Sequence, residues 1–448
     1  MLTLIDDIGY GKQGTGRQQW VPPNVHASTA PVSMADVSTL ASLGLSADSV
    51  GVFPDRLLRK AIEQEIIEAG RYKMAVENIQ PASIDLRLGQ TAHRIQCSFL
   101  PGNETVASRL KELGDEHKLD LTGAGAVLES ERPYLIELKE RLNLPVGVRA
   151  KANPKSSTGR VDVFTRVITD YGQRFDEIAD GYTGPLYLEV VPLSFPVRVN
   201  EDLTLNQLRL FVGNPDVGDD ALRAFHKNDL PVLYRDGLPA DLDNSATLSN
   251  GLFLGLDLRR EPEVKVGFSA KRGAPDLDLT SDEPKRTALY WDPVYAKETG
   301  RIVLVPRTFY LLMSDEAVCI PPTMSAEMTA YDPTSGELRT HYAGFFDPGF
   351  GYDETREVLG SRAALEVRAH DVKFMIETGQ RVCKLTFQWM LEPPERSYGR
   401  GIGSSYQGQA ETLSKYFLQR RPLDPGEWPA AEEESAPTLF AADDGTGE

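Results

Sequence analysis

The 448-residue sequence predicts a mainly β protein made of two tandem copies of one domain, with few short helices. Two observations carry that prediction. To about residue 420 the chain consists of short apolar or alternating runs broken by Pro, Gly, Asn and Asp, as in Tyr134–Leu138, Leu186–Val191, Ile302–Val305 and Val382–Phe387, the pattern of strands. The chain also repeats itself. IDLRLG at Ile84–Gly89 pairs with LDLRR at Leu256–Arg260, LNLP ending at Pro145 with VCIP ending at Pro321, and PKSSTGR from Pro154 with PTSGELR from Pro333. GYTGPLYLEV, ending at Val190, pairs with the DPGFG and AALEV words ending at Val367, and NQLRL around Leu208 with CKLTF around Leu385. The pairs keep their order at offsets of 172 to 179 residues, where chance matches between strand words would scatter.

Taken in order, residues 1–45 mix Gly, Gln, Pro, Ser and Ala without a sustained period and read as a loosely ordered extension. A helix is expected from Asp55, a candidate cap, because Leu58, Ala61, Ile62, Ile66 and Ala69 recur at helical spacing, with Gly70 as the stop. The first domain spans 46–215. Gly213, Pro215, Gly218, Pro231, Gly237 and Pro239 then interrupt the periodicity, and the second domain follows over 216–421. Residues 422–448 hold eight acids and no base and are expected to be a solvated, disordered tail.

Composition excludes several functions. With 48 Lys and Arg against 66 Asp and Glu, a net charge of −18 argues against nucleic acid or an anionic membrane as partner. Cys97, Cys319 and Cys383 are scattered and never form a CxxC pair, which disfavours a disulfide framework or structural zinc. No run approaches the roughly 20 apolar residues of a membrane helix, and MLTLIDDIGYGKQ lacks a basic-then-apolar leader. The expected location is the cytoplasm.

Several motifs fail on context. Gly9-Tyr10-Gly11-Lys12-Gln13-Gly14 has GxGxxG spacing, but Pro22 and Pro23 stand where a helix should follow. No GxxxxGK[ST] loop occurs, nor the HxE with PCxxC of zinc nucleoside deaminases, and the six histidines have no ligand spacing. Lys155-Ser156-Ser157-Thr158-Gly159-Arg160 is denser in donors than a turn requires, and its hydroxyls, amides and two cations suit phosphate oxygens, although such clusters are most often plain turns. Glu189 is the lone carboxylate of a strand, Leu186–Val191, apolar on both faces. Burying it costs several kcal/mol unless it is protonated or paired, so it asks for a partner or a chemical role. Glu366, its counterpart, shares a face with Arg362 and Arg368 and reads more simply as a salt-bridged strand carboxylate.

Together these words resemble the deoxycytidine triphosphate deaminases of the trimeric dUTPase-like superfamily, over roughly residues 50 to 415. NIQPASIDLRLG at Asn78–Gly89, preceded by FPDRLLRKAIEQEII, resembles the family's first helix and strand. PKSSTGR resembles its phosphate-contacting (R/K)SSxxR segment, with Lys155 in the place usually held by Arg. GYTGPLYLEV resembles PGWxGxxxLE and maps Glu189 onto the catalytic glutamate. Tyr398, followed by Tyr406-Gln407-Gly408-Gln409, is similar to the nucleotide-capping tail, with Ser405 where the family often has Lys.

The resemblance implies two tandem dUTPase-like distorted, jelly-roll-like β-barrels that deaminate dCTP to dUTP and ammonia without zinc, for thymidylate synthesis. Glu189, Ser156 and Arg160 would be catalytic. Lys155, Ser157, Thr158, Gly159, Tyr187, Leu188, Tyr398, Tyr406 and Gln409 would bind substrate, together with Asp170 or, as the alternative across the long DYGQRFDEIAD link, Asp180. Mg²⁺ would arrive on the triphosphate. A second-copy site would use Glu366, Ser335, Arg339 and Asp347, although that copy lacks a full SSxxR. The family builds its sites between neighbouring barrels, so composite sites and a homotrimer are expected. The alternatives are a dUTPase-type pyrophosphohydrolase or bifunctional enzyme, with Asp170 or Asp347 activating water at the α-phosphorus, and a non-catalytic nucleotide-binding regulator.

Overall fold

The computed structural model describes residues 40–417 except 47, 71–73, 114–116, 245–246, 259–264, 331–337, 341–343, 355–359, 370, 400–405 and 410; of 330 and 338–340 it describes the backbone. The expected extension over 1–39, the acidic segment from 422, Ser335 and Ser405 lie outside the described residues, as does the Arg339 side chain. Residues 40–43, counted with the loose extension, instead form a helical turn that buries Leu40 and Leu43 in the core.

The expected helix forms but is shorter: α1 spans Asp55–Glu63, burying Leu57, Leu58 and Ala61. It stops before Gly70 because Glu65 turns left-handed at φ 57° and Ile67–Glu68 pairs as a strand. Pro54, not Asp55, occupies the cap position. The buried Asp55 carboxylate instead accepts the Glu395 N–H at 2.9 Å and pairs with Arg59 at 3.2 Å.

The first repeat is built on β1 (Ile84–Arg94), α2 (Val106–Leu113), β2 (Tyr134–Asn143), β3 (Val148–Pro154), the one-turn α3 (Ser156–Gly159), β4 (Val163–Thr169), β5 (Thr183–Pro192) and β6 (Thr204–Val212). Its ten-stranded sheet runs β4-β5-β2-β1-β6-β3, ending on Glu177–Ile178. Asp176 nearly closes the barrel, since its carbonyl accepts the Ala152 N–H at 2.8 Å and its own N–H donates to Val167 at 2.9 Å.

In the second repeat α4 (Asp219–Asn228) precedes β7 (Leu252–Gly255), β8 (Phe309–Val318), β9 (Met324–Ala330), β10 (Ser361–Ala369) and β11 (Arg381–Trp389). Here the strands divide between a seven-stranded and a four-stranded sheet that share one core. The pairings reproduce those of the first repeat: β10 lies on β8 as β5 lies on β2, and β11 between β7 and β9 as β6 between β1 and β3. Glu189 stands opposite Leu135, and Glu366 opposite Leu311.

The period of two decides what each strand shows. On β10, Ala363, Leu365, Val367 and Ala369 are buried in the second core, so Arg362, Ala364, Glu366 and Arg368 point the other way. That face meets the first repeat. The seam carries Arg209, 1% exposed, which donates to the Ala326 carbonyl at 3.1 Å and pairs with Asp347 at 3.2 Å. Beside it Glu327 takes Lys151 at 2.7 Å and Asn153 at 3.2 Å. Val197–Val199 joins Ala126–Leu128 to Leu277–Asp278, a small sheet shared by both repeats. Trp291 packs edge-on to Phe195 and Phe417, which extends the first core toward the C-terminus. Among the described residues no helix is long and apolar enough to cross a membrane.

Candidate active site

The donor-rich segment folds as expected of a turn and also faces a cavity. After β3, Lys155 is extended and α3 winds one turn, with the Thr158 and Gly159 N–H groups donating to the Lys155 carbonyl at 2.8 and 3.0 Å. Ser156, Ser157, Gly159 and Arg160 line a cavity of about 380 Å³, within the range of small-molecule sites. Thr158 is fully buried beneath the turn and does not line it. The Lys155 ammonium pairs with Asp85 and donates to the Thr204 hydroxyl at 2.8 Å.

The opposite wall belongs to the second repeat. Glu366 on β10 reaches the turn so closely that a Cβ on Gly159 would lie 2.9 Å from its Oε1. Burial pushes the Glu366 carboxyl up to about 8, against the attraction of the Arg160 guanidinium and with the help of the Asp162 charge. Phe346, Phe350 and Tyr398 make an aromatic wall, with ring centroids 5.0 and 5.6 Å apart in successive pairs. Asp347 also lines the cavity; burial raises its carboxyl to about 6, opposed by Arg209.

The C-terminal segment closes over this seam. Arg160 donates to Gln409 Oε1 at 2.7 Å and lies 3.6 Å over the Tyr406 ring. Gln409 in turn donates to the Arg362 carbonyl at 2.7 Å, and the Ser414 hydroxyl to the Ser157 carbonyl at 2.9 Å. Lys415 brings a further cation to the lining.

The structure therefore brings together Lys155, Ser156, Ser157, Gly159, Arg160, Asp347, Glu366, Tyr398, Tyr406 and Gln409. It does not bring Glu189 to the turn. That carboxylate, 1% exposed, accepts Arg166 at 2.8 Å and Ser98 at 2.6 Å, and Arg166 stacks 3.8 Å over Phe175. The segment between β1 and β2, with α2, seals this side through Ile95, Phe99, Val106 and Leu110, with Tyr187 packed against them. Leu188 is core, and Asp170 accepts the Val106 N–H at 2.8 Å at the start of α2. Asp180 accepts the Gly147 N–H at 2.8 Å. The physical reason is the period of two. The outer face of β5 is covered by the β1–β2 segment, and the equivalent face of β10 by the Ser156–Arg160 turn.

Asp85, Phe346, Phe350 and Lys415 were not among the residues marked in the sequence as site candidates. Asp85 lies in the IDLRLG word and Phe350 in DPGFG, so a signal was present, whereas Lys415 carries none.

Comparison with known proteins agrees with this architecture. The family described as 2'-deoxycytidine 5'-triphosphate deaminase (DCD) N-terminal domain matches residues 49–214, and the corresponding C-terminal domain matches 228–417. A dCTP deaminase of Natronomonas pharaonis is 34% identical over 123 residues, 27% of this chain and 58% of that protein. Proteins named dCTP deaminase, dUMP-forming, from Beutenbergia cavernae and Kocuria rhizophila are 32% and 31% identical, over 30% and 32% of this chain and 65% and 70% of theirs. The matched stretch thus spans less than two thirds of the first two relatives. The crystal structure of 2'-deoxycytidine 5'-triphosphate deaminase from Agrobacterium tumefaciens superposes with a TM-score of 0.70 at 40% identity, over 78% of this chain and 100% of that one. With both domains matched in order and the same architecture in a solved relative, the chain belongs to the dCTP deaminase family.

Proposed function

We propose that the chain deaminates dCTP to dUTP and ammonia at a site built by both repeats, with Glu366 as the carboxylate that activates water. The observation that carries this reading is the buried Glu366 carboxylate packed against the Ser156–Arg160 turn. Ionised Glu366 takes a proton from water as the oxygen adds to C4 of the base and passes it to N3, then carries the proton of the new C4 hydroxyl to the exocyclic nitrogen, so that the C4–N bond breaks, ammonia leaves and the C4 carbonyl forms. A carboxyl held near 8 by burial returns its proton readily at neutral pH, while the attraction of Arg160 keeps the ionised form within reach. Ser156 and Arg160 orient the water and the carboxylate, and Phe346, Phe350 and Tyr398 offer a planar base an aromatic wall.

Ser156, Ser157, Lys155 and Lys415 present hydroxyls and ammonium groups, donors that fit phosphate oxygens. Among the described residues no three His, Cys, Asp or Glu side chains converge as metal ligands. Mg²⁺ in this reading arrives bound to the substrate's phosphates, whose charge it neutralises, and the scheme assigns no step to zinc. A second reading, in which the triphosphate is also cleaved to give dUMP, is favoured by the names of the Beutenbergia and Kocuria relatives. Asp347, which lines the cavity with Asp85 and Glu77, is a carboxylate available to it.

The test is incubation of purified protein with dCTP and Mg²⁺, measuring ammonia and pyrophosphate separately, with Glu366→Gln and Glu189→Gln in parallel. Loss of about 10³-fold in ammonia release for Glu366→Gln alone is the expected result. Pyrophosphate in step with ammonia would establish the second reading, and no product from wild type would leave a nucleotide-binding protein.

A further inference from the structure

The turn carrying Arg160 ends on a residue in an unfavourable backbone state. Asp162 adopts φ 58°, the left-handed region that costs a non-glycine residue about 1 kcal/mol, and it is fully buried. Its carboxylate accepts the Ser194 hydroxyl and pairs with the Arg368 guanidinium. Arg368 follows Glu366 by two positions on β10 and so shares its face. One ion pair therefore ties the first repeat's turn to the second repeat's strand beside the carboxylate given the chemical role.

We infer that the Asp162–Arg368 pair is a positioning device that docks Glu366 against the Ser156–Arg160 turn and balances the charge around it, an inference that rests on the deaminase reading. Arg160 and Asp162 of the first repeat act on the Glu366 charge, and Cys383 on β11 feels it; Arg362 and Arg368 share its strand face, and Tyr398 and Tyr406 of the closing segment line the same cavity. Of these, Asp162 and Arg368 are opposite charges that cancel only as a pair. Asp162→Asn leaves the Arg368 cation uncompensated and makes ionisation of Glu366 easier. Arg368→Gln leaves the Asp162 anion uncompensated and makes it harder.

The experiment is the pH dependence of kcat/KM for ammonia release from dCTP in Asp162→Asn, Arg368→Gln and the double variant, with thermal unfolding measured alongside. The acid limb is expected to move down by about one pH unit in the first variant, up by a similar amount in the second, and back in the double variant. Asp162→Gly, which accepts the left-handed φ without strain, replaces Asp162→Asn if that protein folds poorly. Equal losses of kcat with an unmoved limb, or shifts of the same sign, would mark a plain structural brace and overturn the inference. Carbon-13 NMR titration of the Glu366 carboxyl in the same proteins reads the shifts without turnover. An inactive wild type would sink the deaminase reading, while the titration would still decide the inference.

Discussion

Gly159→Ala tests the proposed geometry with a single methyl group. Gly159 lies in the α3 turn with helical backbone, so alanine fits its dihedral angles. The new Cβ would stand 2.9 Å from Glu366 Oε1, 3.2 Å from Cδ and 3.3 Å from Oε2, where ordinary contact begins near 3.4 Å. The carboxylate must withdraw by about half an ångström. It is the far end of a flexible side chain, so the side chain moves and the fold is not strained. Replacing glycine at a helical position lowers the entropy of the unfolded chain, worth up to about 1 kcal/mol, and the melting temperature should hold or rise. Misplacement of about 1 Å costs on the order of 10²-fold in rate, so a shift of half that predicts about a tenfold fall in kcat. KM for dCTP should change little, because the serines and Lys155 proposed to meet the phosphates stay in place. Steady-state ammonia release with a parallel thermal melt measures both. A Gly159→Ala enzyme with wild-type kcat would refute the argument that Glu366 acts from its position against this turn.

Two further predictions use the buried carboxylates. Glu189→Gln removes the counter-charge of Arg166 and should destabilise the protein by about 2 kcal/mol in denaturant unfolding while leaving kcat per folded molecule intact; a stable but inactive variant would return the catalytic role to Glu189. The carboxyls of Glu366 and Asp347 are raised to about 8 and about 6. The folded protein thus keeps protons that the unfolded chain has already released above the ordinary carboxylate range, and their contribution to stability falls as pH rises toward 8. Asp347 is half-titrated near pH 6 and Asp176, which burial raises to about 7, near pH 7, so three carboxyls share the decline between pH 6 and 8, and unfolding free energies of Glu366→Gln should fall less steeply there, most clearly from pH 7 to 8. An unchanged slope in that variant would contradict the raised value.

Much of the fold was legible because the signals that specify it are local. Short apolar or alternating runs such as Leu186–Val191 and Val382–Phe387 placed the strands, and the words repeated at 172 to 179 residues disclosed the duplication that the paired registers at Leu135 and Leu311 display. The donor-rich turn and the Tyr398 to Gln409 segment were legible for the same reason, since both are short stretches of unusual composition. The helix boundary was not, because Ile66 and Ala69 satisfy a helical period yet Ile67–Glu68 gains more by pairing with β2.

The strand face that meets the turn was not legible either. Glu189 and Glu366 occupy equivalent places in equivalent strands, and their neighbours pointed to Glu189, because the arginines beside Glu366 read as its partners. In the folded chain Arg362 turns to Asp257 and Arg368 to Asp162, while Glu189 is the one that finds a strand arginine, Arg166. The sequence by itself determined two copies of a β domain, a phosphate-suited turn and a closing segment. Only the tertiary structure decided which carboxylate meets that turn, because the choice depends on how the second repeat packs against the first and on the β1–β2 segment that covers the other face, contacts between residues about 200 and about 90 positions apart.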